Sequence, residues 1–163
     1  FGADDVEEIR VGISETSLSH GGAIYEPNDT ASAQFSLPFS LAIRLLKNDN
    51  DLSFYMDSTL WTDPKVLALA KKVKSYADPN AKKDQNYNTT MEVKLTSGKS
   101  YKAFEPYPPG SPLNMVSRDV LRAKFRKMAR AVLSEERIDK LIEAVDRLET
   151  YDDAAKLIPL MVR

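Results

Sequence analysis

The chain contains no cysteine and only one histidine, His20. Without cysteine it forms no disulfide and offers neither a thiol nucleophile nor a thiolate ligand for a metal. A single histidine also argues against a histidine-based metal site within this chain alone. We therefore expect it to hold no metal.

Excess charge and long apolar runs are lacking as well. Lysine and arginine number 23 against 24 aspartates and glutamates, a formal net charge of -1. Such a balance gives no bulk attraction to nucleic acid or to an anionic membrane, and we expect neither partner. No secretory signal or membrane-spanning run is visible, and with the missing cysteines this favours a cytoplasmic location. The chain opens at Phe1 rather than methionine, which we interpret as a fragment or a processed subunit.

The longest apolar block covers residues 33–46. Its apolar residues recur at helical spacing, which predicts a helix with one buried face; they are Phe35, Phe39, Ala42, Ile43 and Leu46. Pro38 is poorly tolerated inside a helix. The helix therefore either begins at Ser36 as N-cap, with Pro38 in its first turn, or begins near Thr30 and kinks. We favour the first, because an early proline costs little.

Alternating apolar residues predict strands over 6–14 and 90–96. The turn at Gly98 joins the second of these to a returning strand over 100–104, so the pair predicts a hairpin. Residues 73–77 form a further candidate strand, whereas 16–28 and 82–88 are predicted to be loops. A short helical turn is expected over 52–56, and a helix is expected after Thr62 as N-cap, with Pro64 early in it and Val73 among its apolar members.

Four prolines within 106–112 interrupt regular structure and predict an internal boundary. We place a small α+β domain at 1–109 and a helical segment at 110–163. Ser117 and Ser134 are predicted to cap the first two helices of that segment, and Asp152 is predicted to begin a third that Pro159 weakens at its end. The fold class is therefore α+β, a sheet-plus-helix unit followed by a C-terminal helical segment.

The order of several short motifs resembles the second domain of the MmgE/PrpD family. The resemblance centres on the run from Phe35 to Phe39 and covers nearly the whole chain. The other motifs lie at residues 6–11, 27–30, 62–66, 69–73, 97–99, 109–112 and 121–125.

This resemblance implies a function. The family contains 2-methylcitrate dehydratases, cis-aconitate decarboxylases and iminodisuccinate epimerases, which move protons on small polycarboxylates without a cofactor. It also implies that the α+β unit covers an active site like a lid and that the last helices join a large helical N-terminal domain of the same enzyme. Most acid and base groups would come from that domain, and the enzyme would work as a homodimer.

Five residues are candidates for a substrate pocket, Ser36, Phe39, His20, Gly21 and Gly22. The resemblance implies that decarboxylase-like members of the family often carry a tyrosine where this chain has Phe39, so the ring is kept and the hydroxyl is lost. Phe39 is then either a pocket wall, which we favour, or plain core. His20 is either a general acid or base or an ordinary surface residue. Gly21 and Gly22 would let the backbone approach an anion closely, although they match no phosphate-binding fingerprint.

Residues 118–130 carry six basic side chains and one acidic one, Asp119. A nucleic-acid interface would need interleaved aromatic residues, and only Phe125 is aromatic. We therefore interpret these cations as a solvated helix face.

Overall fold

A computed structural model of the chain describes residues 1–81 and 88–162. The chain divides into two compact units, Phe1–Asn114 and Met115–Arg163. The loop predicted at 82–88 lies, apart from Asn88, outside the described residues. The prolines at 106–112 lie near the end of the first unit.

The first unit is built on a four-stranded sheet in which β1 is central. Its strands are β1 (Val6–Ile13), β2 (Val73–Ala77), β3 (Thr89–Leu95) and β4 (Ser100–Glu105). The order is β2-β1-β3-β4, with β2 parallel to β1 and the other neighbours antiparallel. Ile9 lies opposite both Val73 and Val93, so the apolar side chains of three strands share one face.

The predicted hairpin is confirmed, and its turn explains why a glycine is needed. Gly98 has φ 84°, in the left-handed region that glycine adopts without strain. Its N–H donates to the Leu95 carbonyl at 2.9 Å, while the Leu95 N–H donates to the Lys99 carbonyl at 2.8 Å. This pattern is a type I turn followed by a bulge, the usual three-residue hairpin loop.

Helices cover the apolar face of the sheet. The first unit contains α1 (Glu15–Ser17), α2 (Thr30–Phe35), α3 (Leu37–Lys47), α4 (Leu52–Met56), α5 (Ser58–Trp61) and α6 (Pro64–Ala70). Both proposed helix starts are present, because Asp29 caps α2 and Ser36 caps α3. The block is therefore two helices and not one kinked helix.

Three local predictions need correction. The loop expected over 16–28 begins as helix, since the Ser14 hydroxyl accepts the Ser17 N–H and a π-helical turn, Leu18–Gly22, follows. The cap of α6 is Asp63 and not Thr62, because the Asp63 carboxylate accepts the Lys65 N–H at 2.7 Å. Val73 belongs to β2 and not to a helix.

The core lies between the sheet and these helices. Val6, Ile9 and Val11 of β1 are fully buried, as are Phe39 and Ile43 of α3. The helix α6 packs against α3. Burying a large apolar side chain contributes about 1.5–3 kcal/mol, so this cluster is the main stabilising element of the first unit.

The second unit consists of α7 (Arg118–Ala129), α8 (Glu135–Asp146) and α9 (Ile158–Met161), with short 3₁₀ turns at Leu148–Thr150 and Ala154–Leu157. The Ser117 and Ser134 caps are confirmed. The predicted third helix is wrong in form, because Asp153 caps a 3₁₀ turn and Pro159 lies in the first turn of α9.

Ion pairs join α7 to α8 along one side. Arg122 binds Asp146, Arg126 binds Asp139, and Arg130 binds Glu135. These pairs place three of the six cations of residues 118–130 against carboxylates of the neighbouring helix. The stripe is thus not a face of purely solvated cations, because at least three of its charges are compensated within the unit.

Apolar side chains of α7 and of the turn after it are only partly covered. Their exposed fractions are 54% at Leu121, 39% at Phe125, 47% at Met128 and 49% at Val132. In α8, by contrast, Ile138 is fully buried. The second unit by itself therefore leaves an apolar face of α7 exposed.

Among the described residues, no helix is long and apolar enough to cross a bilayer.

Candidate functional site

Ser36 shapes the corner between α2 and α3. Its backbone is extended, with φ -73° and ψ 109°, and its side chain is fully buried. The hydroxyl donates to the Ile24 carbonyl and accepts the Phe39 N–H at 3.0 Å. The extended backbone of Ser36 thus ends α2, and its buried hydroxyl caps α3 and ties that helix to the loop at Ile24.

The corner also decides where Phe35 points. Ser36 separates Phe35 from α3, so Phe35 ends α2 instead of joining the buried stripe of the next helix. Its side chain is 66% exposed. The sequence-based assignment of Phe35 to the buried helix face is therefore wrong.

His20 lies exposed on the π-helical turn that follows α1. Its Nδ1 is 2.6 Å from the Thr16 carbonyl oxygen. A carbonyl only accepts, so Nδ1 carries the proton and the neutral ring keeps its lone pair on Nε2. The turn therefore fixes the ring through one nitrogen and leaves the other as the group able to take a proton.

Gly21 brings the His20 turn against the corner. A Cβ atom at Gly21 would lie 2.0 Å from the Phe35 carbonyl oxygen, a distance that no side chain tolerates. At Gly22 a Cβ atom would lie 2.8 Å from Ile13 Cδ1. The absence of side chains at these two positions lets the turn pack directly on the α2–α3 junction and on β1.

Phe39 lies in the first turn of α3 and is fully buried. Its ring meets the Tyr55 ring edge-on, with centroids 5.9 Å apart and an interplanar angle of 64°. The Tyr55 hydroxyl donates to Ser40 Oγ at 3.2 Å and accepts from Asn50 Nδ2 at 3.0 Å. Sequence reasoning did not single out Tyr55, because nothing in its spacing from Phe39 signals this contact.

An ion pair holds the loop that leads into α2. Lys71 Nζ lies 2.8 Å from Glu26 Oε1. The hydrogen bond from Lys71, and then its charge, lowers the pKa of the Glu26 carboxyl. A carboxyl with a depressed folded pKa stabilises the fold above its unfolded pKa, and that contribution disappears as the pH falls through the folded pKa.

The structure thus brings four of the five candidate residues together at one corner. His20, Gly21 and Gly22 lie on the turn, and Gly21 touches the backbone that leads into Ser36. Phe39 lies behind that surface, in the core. In residues 1–81 and 88–162, no three carboxylate or imidazole side chains lie close enough to bind a metal ion together.

Residues 1–150 match the MmgE/PrpD C-terminal domain. The chain belongs to the MmgE/PrpD family. This match covers the sheet, the Ser36 corner and the first two helices of the second unit, in agreement with the motif order in the sequence.

Two curated relatives are similar along most of the chain. A cis-aconitate decarboxylase of Aspergillus terreus is 28% identical, with 96% of this chain and 33% of the relative covered. A 2-methylcitrate dehydratase-like protein of Aspergillus oryzae is 24% identical, with 88% of this chain and 31% of the relative covered. The chain therefore spans about a third of the length of these MmgE/PrpD relatives.

The close packing at Gly21 gives a direct test of the corner. Replacing Gly21 by alanine should lower the free energy of unfolding by about 1–3 kcal/mol, because the backbone of Phe35 must move to admit the methyl group. Gly2→Ala is the matched control, since a Cβ atom at Gly2 meets nothing within 4 Å. Equal thermal melts for the two variants would contradict the described contact.

Proposed function

We propose that this chain is the lid and C-terminal part of a cofactor-independent cytoplasmic lyase or isomerase that acts on small polycarboxylates. The observation that carries the proposal is the match to the MmgE/PrpD C-terminal domain over residues 1–150. The names of the two relatives, a decarboxylase and a dehydratase-like protein, support dehydration or decarboxylation. Epimerisation uses the same first step and belongs to the same proposal.

The common step is removal of a proton next to a carboxylate. Cationic and hydrogen-bonding groups then stabilise the enolate-like charge that develops. A helical domain of the same enzyme would supply most of these groups, as well as the main acid and base. This chain would contribute the Ser36 corner, where Nε2 of His20 is able to accept a proton and the exposed ring of Phe35 can cover a substrate.

The second unit supports the proposed helical partner. Between α7 and α8, five apolar side chains line a groove of about 500 Å³, namely Leu121, Phe125, Leu141, Ile142 and Val145. Of these, Leu121, Phe125 and Val145 are exposed, and fully burying such a side chain contributes about 1.5–3 kcal/mol. A helix of the proposed N-terminal domain would bury these side chains. The complete enzyme would be a homodimer.

The same exposed face favours one alternative from another class. A non-catalytic subunit that only binds a partner protein would also present an apolar helix face, and it would need no acid or base of its own. Activity separates the two proposals, because only the enzyme converts a polycarboxylate when the partner is present.

The chain by itself should be inactive. We expect no turnover of cis-aconitate, 2-methylcitrate or iminodisuccinate by the 163 residues alone, and turnover of one of them once the helical domain is joined to the chain. Spectrophotometric assays on both proteins measure this. Robust activity of the chain alone would contradict the proposal that the helical domain supplies the main acid and base. Inactivity of the joined protein would favour the non-catalytic alternative.

Phe39→Tyr tests whether Phe39 forms a pocket wall. A pocket position would accept the new hydroxyl, so kcat or KM of the joined protein should change while the melting temperature stays. In a dry core the unpaired hydroxyl would cost about 1–3 kcal/mol. Phe54→Tyr, a half-buried position of α4, is the matched control and should leave the kinetics unchanged. A large melt shift with unchanged kinetics at Phe39 would show plain core.

The apolar face of α7 should make the isolated chain associate or bind a hydrophobic dye. Replacing Leu121 and Phe125 together by glutamine should reduce both effects, because it removes exposed apolar area. Leu52→Gln in the first unit is the control, as Leu52 is also exposed. Light scattering that finds a monodisperse, dye-free wild-type monomer would contradict the proposed partner surface.

A further inference from the structure

The two edge strands of the sheet, β2 and β4, differ in how far other parts of the chain cover them. At the β2 edge the Tyr25 hydroxyl donates to the Val73 carbonyl at 3.1 Å, and the turn Leu18–Gly22 packs beside the strand. At the other edge all six residues of β4 are exposed, and within the described ranges no strand pairs with its outer side. The open edge is therefore a specific feature of β4.

The backbone groups that β4 presents outward can be identified. The Leu95 N–H donates to the Lys99 carbonyl, so this pair is a hydrogen-bonded one. Such pairs alternate along an antiparallel ladder, so Tyr101, Ala103 and Glu105 direct their N–H and C=O groups toward β3. The outward groups belong to the remaining strand residues, Ser100, Lys102 and Phe104.

We propose that β4 pairs with β4 of a second copy of this chain, antiparallel, with Ala103 opposite Ala103 of the second copy. The two four-stranded sheets would then join into one across a two-fold axis. The proposal names a surface for the homodimer of the proposed function and rests on that function for its expectation that two copies meet. The geometry comes from the sheet alone.

Side-chain alternation and charge select this register. Two residues that face each other must lie on the same side of the joined sheet, and both must direct their backbone groups outward or both inward. The possible registers of the two β4 strands therefore differ from one another by two residues. With Ala103 on the axis, Lys102 faces Phe104 and Tyr101 faces Glu105 of the second copy. A cation over an aromatic ring and a phenol beside a carboxylate are both favourable pairs.

The neighbouring registers are worse. With Lys102 on the axis, two lysines face each other, and like charges directly opposite are destabilising. With Phe104 on the axis, Lys102 faces Pro106, which has no N–H to donate. The Ala103 register avoids like charges, and it places Pro106 opposite Ser100 at the end of the strand, where only the Ser100 carbonyl lacks a donor.

Exposed aromatic rings mark the same edge. Phe104 is 60% exposed and Tyr101 is 40% exposed, on opposite faces of the sheet. A lysine on an edge strand usually hinders pairing with another chain. Here Lys102 would lie opposite Phe104 of the second copy, so its ammonium group would contact the aromatic ring instead of hindering the pairing.

The absence of cysteine allows a clean crosslinking experiment. The two Ala103 residues would form a non-hydrogen-bonded pair with Cα atoms about 4.5 Å apart, within the range of a disulfide. Ala103→Cys in the 163-residue chain should therefore give mostly disulfide-linked dimer on mild oxidation, seen on a non-reducing gel. Lys102→Cys is the matched control, because two positions 102 would lie more than about 7 Å apart and should not link.

A proline variant tests the same contact without oxidation. Lys102→Pro removes an outward N–H, together with the lysine side chain and its ion pair with Glu92, and leaves the backbone hydrogen bonds between β3 and β4 in place, so dimer formation should fall at least tenfold while the hairpin survives. Lys102→Ala keeps that N–H and controls for the loss of the side chain. Circular dichroism checks that both variants fold. Light scattering measures the dimer in chains that also carry Leu121→Gln and Phe125→Gln, so that association through the apolar face of α7 does not mask the result.

The outcomes separate this inference from the proposed function. Linking at position 102 but not at 103 would overturn the register. Dimers that persist in the proline variant, with no linking at 103, would overturn edge pairing while turnover of the joined protein leaves the proposed function intact. Linking at 103 without turnover in the joined protein would support edge pairing and overturn only the proposed function.

Discussion

The corner between α2 and α3 depends on the hydrogen bonds of one buried hydroxyl. Ser36 is fully enclosed, and its Oγ satisfies the Ile24 carbonyl and the Phe39 N–H at once. Leaving such buried groups unpaired costs about 1–3 kcal/mol each. Ser36 is extended and separates the two helices, so Phe39 lies in the core in the first turn of α3 and Phe35 ends α2 with its ring exposed. The Phe35 carbonyl next to Ser36 forms the backbone surface on which Gly21 packs, together with the turn that carries His20.

The two units have different physical characters. The first has a closed core under a sheet, and its chemistry-bearing residues gather at the Ser36 corner. In the second unit, ion pairs connect α7 to α8, and an apolar face of α7 stays exposed. A unit with such a face gains stability from a partner. The proposed division of an MmgE/PrpD enzyme into a lid, a tail and a separate helical domain accounts for both characters.

Local patterns predicted much of this fold, because periodicity and capping act over a few residues. The strand at Val6–Ile13, the Gly98 hairpin, and the Ser36, Ser117 and Ser134 caps follow from neighbouring residues alone. The exposure of Phe35, the Phe39–Tyr55 contact and the arginine ion pairs depend on segments far apart in sequence. Spacing along the chain carries no signal for such contacts. The family resemblance likewise indicated a site without showing that its residues meet.

Hydrogen exchange with and without substrate tests most directly whether the Ser36 corner borders a substrate pocket. The measurement uses the chain joined to the helical domain, and mass spectrometry follows peptides covering residues 14–24 and 33–40. The account predicts that cis-aconitate or 2-methylcitrate slows exchange in both peptides, while peptides from the β3–β4 hairpin stay unchanged. Unchanged exchange at the corner under saturating substrate, in a protein that turns that substrate over, would contradict it.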